Sequence, residues 1–222
     1  MAGLLARGDS MNMEIVARNS RGESRFTLAV EGSDTVLDIL ERLRKDGKPG
    51  LLYRHSCHHG SCGTCGAMIN GKPRLMCLTR ASDLGEGIVV IEPLAKMTEI
   101  GGIAVWPGPL FDAEPDTDYL KAADDKAEEG AENPVRLEDC IECGVCVAAC
   151  PVSAPFAGPA ALAAAAVEMG KHPGRESELG PLVDGPEGAP ACERAFECSR
   201  VCPQGVAPGR KITELLKRTQ RR

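Results

Sequence analysis

The sequence predicts an α+β chain in two folded parts: a small mixed α/β domain over 1–95 and an all-α domain over 135–222, joined by an acidic connector over 96–134. Strand-period alternation and tight-turn dipeptides are confined to the first part. Alanine-rich segments without strand signals dominate the last. Eleven cysteines fall into three groups, one in the first part and two in the last.

The elements follow in order. Met13 to Val16 and Arg25 to Val30 alternate apolar and polar residues around a turn at Asn19 to Gly22, which predicts a hairpin. Asp34 reads as a helix N-cap. Val36, Leu37, Ile39, Leu40 and Leu43 then recur at helical spacing until Gly47 and Pro49. After a glycine-rich loop, Ala67 to Ile69 and Lys72 to Leu75 flank Asn70-Gly71, the dipeptide best suited to a two-residue hairpin turn. Ile88 to Ile91 is the last strand.

Between residues 95 and 134 the pattern is less regular, broken by Pro107, Pro109, Pro115 and Pro134, with nine acids from Asp112 to Glu132 against Lys121 and Lys126. This reads as a connector with a solvated acidic face, helical near Tyr119 to Glu129. Gly101-Gly102 reads as a turn. Trp106, the one tryptophan, reads as a packing residue. Helices are expected from Gly158 to Met169 and, after Pro208, from Gly209 to Thr219. Arg210, Lys211, Lys217, Arg218, Arg221 and Arg222 make that end basic, as a solvated helix C-terminus or a face for a membrane or subunit.

Composition narrows the function classes. A chain of 222 residues, 43% hydrophobic, suffices for two modest cores, and a formal charge of −6 gives no basic field for gripping phosphates, so nucleic acid is not an expected partner. No stretch reaches the roughly 18–20 apolar residues that span a bilayer, and Arg7 and Asp9 stand where a signal peptide needs an apolar core. The expected location is cytoplasmic. In that reducing compartment the thiols serve metal or redox chemistry rather than disulfides.

Cys57, Cys62, Cys65 and Cys77 have four, two and eleven residues between them, the plant-type 2Fe-2S spacing. Three thiolates converge from one loop and the fourth arrives from the hairpin behind it. Gly60, Gly63 and Gly66 suit such a loop because glycine accepts positive φ and lets backbone N–H groups approach sulfur. With the preceding hairpin and helix, this is the layout of a β-grasp 2Fe-2S ferredoxin domain. Cys62-x2-Cys65 alone would fit a zinc knuckle. His55, His58 and His59 read as loop residues, since four cysteines already complete the set.

Cys140-x2-Cys143-x2-Cys146-x3-Cys150-Pro151 is the bacterial ferredoxin run, whose fourth cysteine turns toward a second cluster. Cys192-x5-Cys198-x3-Cys202-Pro203 repeats that run with Ala195 where a cysteine is expected. Crossing the fourth ligands assigns Cys140, Cys143, Cys146 and Cys202 to a 4Fe-4S cluster, and Cys150, Cys192 and Cys198 to a corner short of one thiolate, which suits 3Fe-4S. The last part is thus an all-α two-cluster ferredoxin domain. The competing zinc scaffold fits poorly, because seven thiols are too many for one site and too few for two all-cysteine sites.

With Tyr53-Arg54-His55-Ser56-Cys57, the Cys62 to Cys65 loop, Asp139-Cys140-Ile141-Glu142-Cys143-Gly144, Gly158-Pro159-Ala160-Ala161 and Cys192 to Pro203 followed by Gly205, the chain resembles the iron–sulfur subunit of succinate dehydrogenase and fumarate reductase. The resemblance implies a 2Fe-2S domain against an FAD-containing flavoprotein subunit and a helical domain near a quinone. It also implies membrane anchor subunits and a peripheral place on the cytoplasmic face of the inner membrane. Catalytic residues are expected on the partner. The chain itself shows no nucleotide-binding glycine fingerprint and no nucleophile–base set.

Two departures from the family bear on the acceptor. The segment from Cys150 to Gly158 is short and lacks the tryptophan usual in ubiquinone-linked members, and Glu193 stands where a histidine is frequent. These point to a menaquinone-type complex, with a soluble or differently anchored thiol-linked fumarate reductase as the alternative. Phe156, the only aromatic residue of that segment, reads as a packing anchor for the helix that follows.

Overall fold

The computed structural model describes residues 10–115, 140–153 and 155–219. The expectations for Arg7 and Asp9, for the charges of 116–132 with their helix at Tyr119 to Glu129, and for Asp139, Arg221 and Arg222 lie outside the described residues. The chain divides into two compact units, Met1–Trp106 and Pro107–Arg222.

In the first unit β1 (Ser10–Asn19) and β2 (Gly22–Glu31) form an antiparallel hairpin with register Ile15 opposite Phe26. Then come α1 (Val36–Lys45), the hairpin β3 (Gly66–Ile69) and β4 (Lys72–Leu75), the short α2 (Ala81–Leu84), and β5 (Gly87–Glu92). The sheet order is β2-β1-β5-β3-β4, and β1 and β5 pair in parallel, Ile15 opposite Val89. Two parallel neighbours cannot be joined by a tight turn, so α1 and the β3–β4 hairpin occupy the connection. Met13, Ile15, Val89 and Ile91 are buried in the central strands.

Helix α1 buries Val36, Leu37, Ile39, Leu40 and Leu43, each worth about 1.5–3 kcal/mol when fully removed from water. Its cap is Thr35 rather than Asp34. Thr35 Oγ1 accepts from the Asp38 N–H at 3.1 Å, and Asp38 Oδ2 accepts from the Thr35 N–H at 3.0 Å, a reciprocal capping box worth about 1 kcal/mol. Asp34 serves the preceding turn instead, accepting from the Glu31 N–H at 2.9 Å. At the β3–β4 turn Asn70 and Gly71 have φ of 49° and 73°, the left-handed pair that a two-residue hairpin requires. Asn70 also exchanges hydrogen bonds with Val90, which fixes the turn on β5.

The irregular reading of 96–106 does not hold. These residues form a second hairpin, β6 (Thr98–Gly101) and β7 (Ala104–Trp106), inside the first unit. Its anchors are distant in sequence, which is why no local pattern announces it. Glu99 accepts from the Ser20 N–H at 3.1 Å and from its hydroxyl at 2.9 Å, and the Ile103 N–H donates to Leu52 O at 2.7 Å. Gly102, with φ 54°, is more than a turn residue, because a Cβ there would stand 2.4 Å from Leu52 O. Trp106 is 58% exposed at the end of β7 and is not a packing residue.

The second unit is helical: α3 (Gly108–Ala113), α4 (Val145–Ala149), α5 (Gly158–Lys171), α6 (Glu176–Asp184), α7 (Glu197–Arg200) and α8 (Pro208–Thr219). Helix α5 is buried along nearly its whole length, and its alanines permit close approach on several sides. One core gathers Leu162, Ala165, Met169, Leu179, Ile212 and Leu215, with Cys192 and Phe156 packed against it. Another gathers Ala163, Ala164, Val167 and Val206, with Cys140 and Cys202 against it. Ala157 also packs on the first core. Lys211 departs from the reading of a solvated basic end, since the packing of α8 on α5 leaves it only 1% exposed. Arg210 and Lys217 are exposed as expected, and Arg218 pairs with Glu176.

Candidate iron–sulfur centres

In the first unit the loop after Tyr53 turns back on itself through His58, Gly60 and Gly63, all at positive φ. Gly66 belongs to β3 opposite Leu75 and does not use the conformational freedom expected of it. Cys57 Sγ accepts from the Ser61 N–H at 3.2 Å and the His59 N–H at 3.5 Å, and Cys62 Sγ accepts from the Cys57 N–H at 3.5 Å. The His59 N–H first, and then the Ser61 N–H, pull the Cys57 thiol down to about 6 against the opposing effect of burial. Thr64 Oγ1 lies 3.2 Å from Cys62 Sγ.

Cys77 sits on the 3₁₀ turn Met76–Leu78 that ends β4, and its sulfur is 3.3 Å from that of Cys65. The Met76 N–H donates to Cys65 O at 3.0 Å, tying the turn to the loop. Burial, then the neighbouring Cys65, pushes the Cys77 thiol up to about 12. Gly60, at φ 80°, lies against the Leu78 side chain, which a Cβ there would displace.

A polar network ties this loop to α1. Glu41 accepts from Arg44 at 2.6 Å and from the Tyr53 hydroxyl at 2.6 Å, and lies 3.3 Å from His55 Nε2. Arg44 first, with Tyr53 and His55, holds the Glu41 carboxyl at about 2. Burial raises the Tyr53 phenol. His55 continues to His58 at 3.0 Å, and the ring of His59 turns back to Cys57 O.

In the second unit Cys140, Cys143, Cys146 and Cys202 line one cavity of about 450 Å³. Positive φ at Glu142 and Gly144 lets the short segment present Cys140 and Cys143 on the same side. Burial pushes the Cys143 thiol up to about 11 and Cys146 well above its ordinary value, with the neighbouring thiols of the same set adding to both. Bringing these sulfurs together costs free energy unless a positive centre offsets their charge.

Cys150, Cys192 and Cys198 line another cavity of about 290 Å³, together with Ala195, Phe156 and Phe196. The turn into it uses positive φ at Arg194 and Phe196. Burial, aided by Cys150 and Cys192, raises the Cys198 thiol, against the opposing hydrogen bond of Ser199. The eleven cysteines thus lie at three places, none of them in a disulfide. Among the described residues no three histidine, cysteine or acidic side chains close on a point as one metal ion requires. All-cysteine sets of four, four and three thiols are the donor chemistry of iron–sulfur clusters.

Thr64, Ser199 and the Glu41 network were not singled out from the sequence. A hydroxyl residue next to a cysteine is the available signal for the first two. Glu41 has none, because helix and loop meet only in the fold.

The family described as "2Fe-2S iron-sulfur cluster binding domain" matches residues 13–103, and that described as "4Fe-4S dicluster domain" matches residues 136–206. The fumarate reductase iron-sulfur subunit of Wolinella succinogenes is 31% identical over 82% of this chain and 83% of its own length. The chain belongs to the iron–sulfur subunit family of fumarate reductase and succinate dehydrogenase. A second family relative, the fumarate reductase iron-sulfur subunit of Haemophilus influenzae, is 28% identical over 95% of this chain and 93% of its own. A chain of the Mycobacterium smegmatis Sdh1 complex in the apo form superimposes with a TM-score of 0.75 at 26% identity, covering 97% of both chains. As an iron–sulfur subunit the protein is the electron-transfer, non-catalytic part of an oxidoreductase, with a 2Fe-2S domain followed by a 4Fe-4S dicluster domain. No helix among the described residues is long and apolar enough to cross a membrane.

Proposed function

We propose that this subunit relays single electrons between an FAD-containing flavoprotein and a quinone through three centres. Cys57, Cys62, Cys65 and Cys77 hold 2Fe-2S; Cys140, Cys143, Cys146 and Cys202 hold 4Fe-4S; Cys150, Cys192 and Cys198 hold 3Fe-4S. The supporting observation is the grouping of the thiols as four, four and three, with Ala195 on the wall of the cavity that has three. When bound, the clusters supply one-electron chemistry that adapts a two-electron flavin to single carriers. The residues of this chain bind them and set their surroundings. Backbone N–H groups donating to Cys57 and Cys62 stabilise thiolates, while Ala160 and Ala163 of α5 form an apolar wall of the four-cysteine cavity.

The chain sits, in this reading, on membrane anchor subunits at the cytoplasmic face of the inner membrane. A short, tryptophan-free Pro151 to Gly158 segment favours menaquinone. The same segment favours, as the second reading, a soluble or differently anchored thiol-linked fumarate reductase. Purification of the native complex under anaerobic conditions tests both. The expected result is about nine irons per chain, an EPR signal from an oxidised 3Fe centre, and a co-purifying flavoprotein with a membrane anchor. A colourless protein with zinc and no iron would end the cluster reading, and a complex with no anchor or quinone activity would favour the second.

A further inference from the structure

His58 is held in a backbone conformation that its side chain disfavours. Its φ of 63° lies in the left-handed region, which the same loop otherwise reaches with Gly60 and Gly63. A non-glycine residue stays there only when its surroundings hold it. The hold is a side-chain contact: His55 Nδ1 and His58 Nε2 are 3.0 Å apart, with the rings edge to face at 5.1 Å. His55 is in turn backed by the buried Tyr53, whose ring lies 5.5 Å away and whose hydroxyl donates to Glu41 Oε1 at 2.6 Å. The same carboxylate oxygen stands 3.3 Å from His55 Nε2, which favours the proton on that nitrogen and leaves Nδ1 to accept from His58 Nε2–H. Directly after His58 the chain delivers two donors to one sulfur. The His59 N–H reaches Cys57 Sγ at 3.5 Å and the Ser61 N–H reaches it at 3.2 Å, while the His59 ring closes the turn on Cys57 O.

We propose that His55 is a positioning residue of the 2Fe-2S centre: its hydrogen bond to His58 holds the left-handed turn that aims the His59 and Ser61 N–H groups at the Cys57 sulfur, and so raises the reduction potential of that centre. The inference rests on the reading of Cys57 as a 2Fe-2S ligand. Sulfur carries more negative charge once the centre holds the additional electron, so donated N–H groups stabilise the reduced form more than the oxidised one. Both donors lie on the far side of His58 from Cys57. A His58 that relaxed to negative φ would turn them away from the sulfur, and the bond from His55 opposes that relaxation.

The test is a redox titration of the reduced 2Fe-2S EPR signal in the anaerobically purified complex, comparing wild type, His55→Phe and the double variant His55→Phe/His58→Gly. Phenylalanine keeps a ring against Tyr53 and His58 but carries no nitrogen to accept. His55→Phe is expected to shift the ratio of reduced to oxidised centre about tenfold toward oxidised, which is 59 mV downward for one electron. The double variant is expected to return to the wild-type midpoint, because glycine adopts the left-handed turn without a clamp. A His55→Phe midpoint equal to that of the wild type overturns the proposal. So does a lowered midpoint that His58→Gly leaves low, since His55 would then act by its own polarity rather than through the turn. If His55→Phe assembles no centre, the double variant decides: a restored signal supports the clamp, and continued loss overturns it. A wild-type complex with iron but no 2Fe-2S signal refutes the ligand reading, and the inference falls with it.

Discussion

Gly102→Ala should loosen the first unit and, through it, the 2Fe-2S loop. Two costs act at this position. Alanine at φ 54° pays the left-handed penalty of about 1–2 kcal/mol, and its Cβ would stand 2.4 Å from Leu52 O and 2.8 Å from Leu52 N, backbone atoms that cannot swing aside. Relief of that clash moves Leu52 and stretches the 2.7 Å bond from the Ile103 N–H to Leu52 O, a loss of about 1 kcal/mol. The total is about 2–3 kcal/mol. Gly71→Ala is the control, because Gly71 has φ 73° but nothing within 4 Å of its Cβ position, which leaves only the conformational cost of about 1–2 kcal/mol. Urea denaturation of the 2Fe-2S-loaded protein, followed by visible absorbance, measures both. Gly102→Ala should have the lower midpoint, and since Leu52 leads into Tyr53 and the Cys57 loop, it should lose the cluster chromophore sooner. Equal losses in the two variants would refute the argument from the Leu52 contact.

Three further outcomes are expected. Ala195→Cys adds a fourth thiolate to the wall of the three-cysteine cavity and should convert that centre to 4Fe-4S with a lower potential, because the thiolate adds negative charge; an oxidised 3Fe EPR signal that survives unchanged would show that the wrong corner was assigned. Glu41, held at about 2 in the fold against an ordinary 4.5, contributes stability that is complete above about pH 4.5 and is lost as the pH falls toward 2. After solvent screening that contribution is about 1–2 kcal/mol, so Glu41→Gln should flatten the acid limb of a stability profile between pH 5 and 2, and an unaltered limb would refute the linkage. A protease site inserted between residues 116 and 132 should release an N-terminal fragment that keeps 2Fe-2S, all four of whose proposed ligands lie between Cys57 and Cys77; loss of colour from both fragments would mean that the two parts share one core.

The cysteine spacings and the periodicities were legible in the sequence because each is a short-range property. Asn70-Gly71 determines a tight turn whatever surrounds it, and the spacing from Cys57 to Cys65 places three sulfurs on one loop before any tertiary contact forms. The pairing of Cys202 with the Cys140 group was legible only through a known ligand run. Other features depend on which distant surfaces meet, and no local pattern encodes that. The β6–β7 hairpin is held by Glu99 on Ser20 across 79 residues. Lys211 is buried on a helix that packs against α5 and α7, so its charge predicts the wrong environment. Ser199 and Gly209, ten residues apart, share a hydrogen bond because α8 begins without a capping side chain of its own and α7 is packed where it can supply one. The proposed ligand sets therefore follow from spacing along the chain, whereas the surroundings of those thiols were decided by the packing of helices and loops.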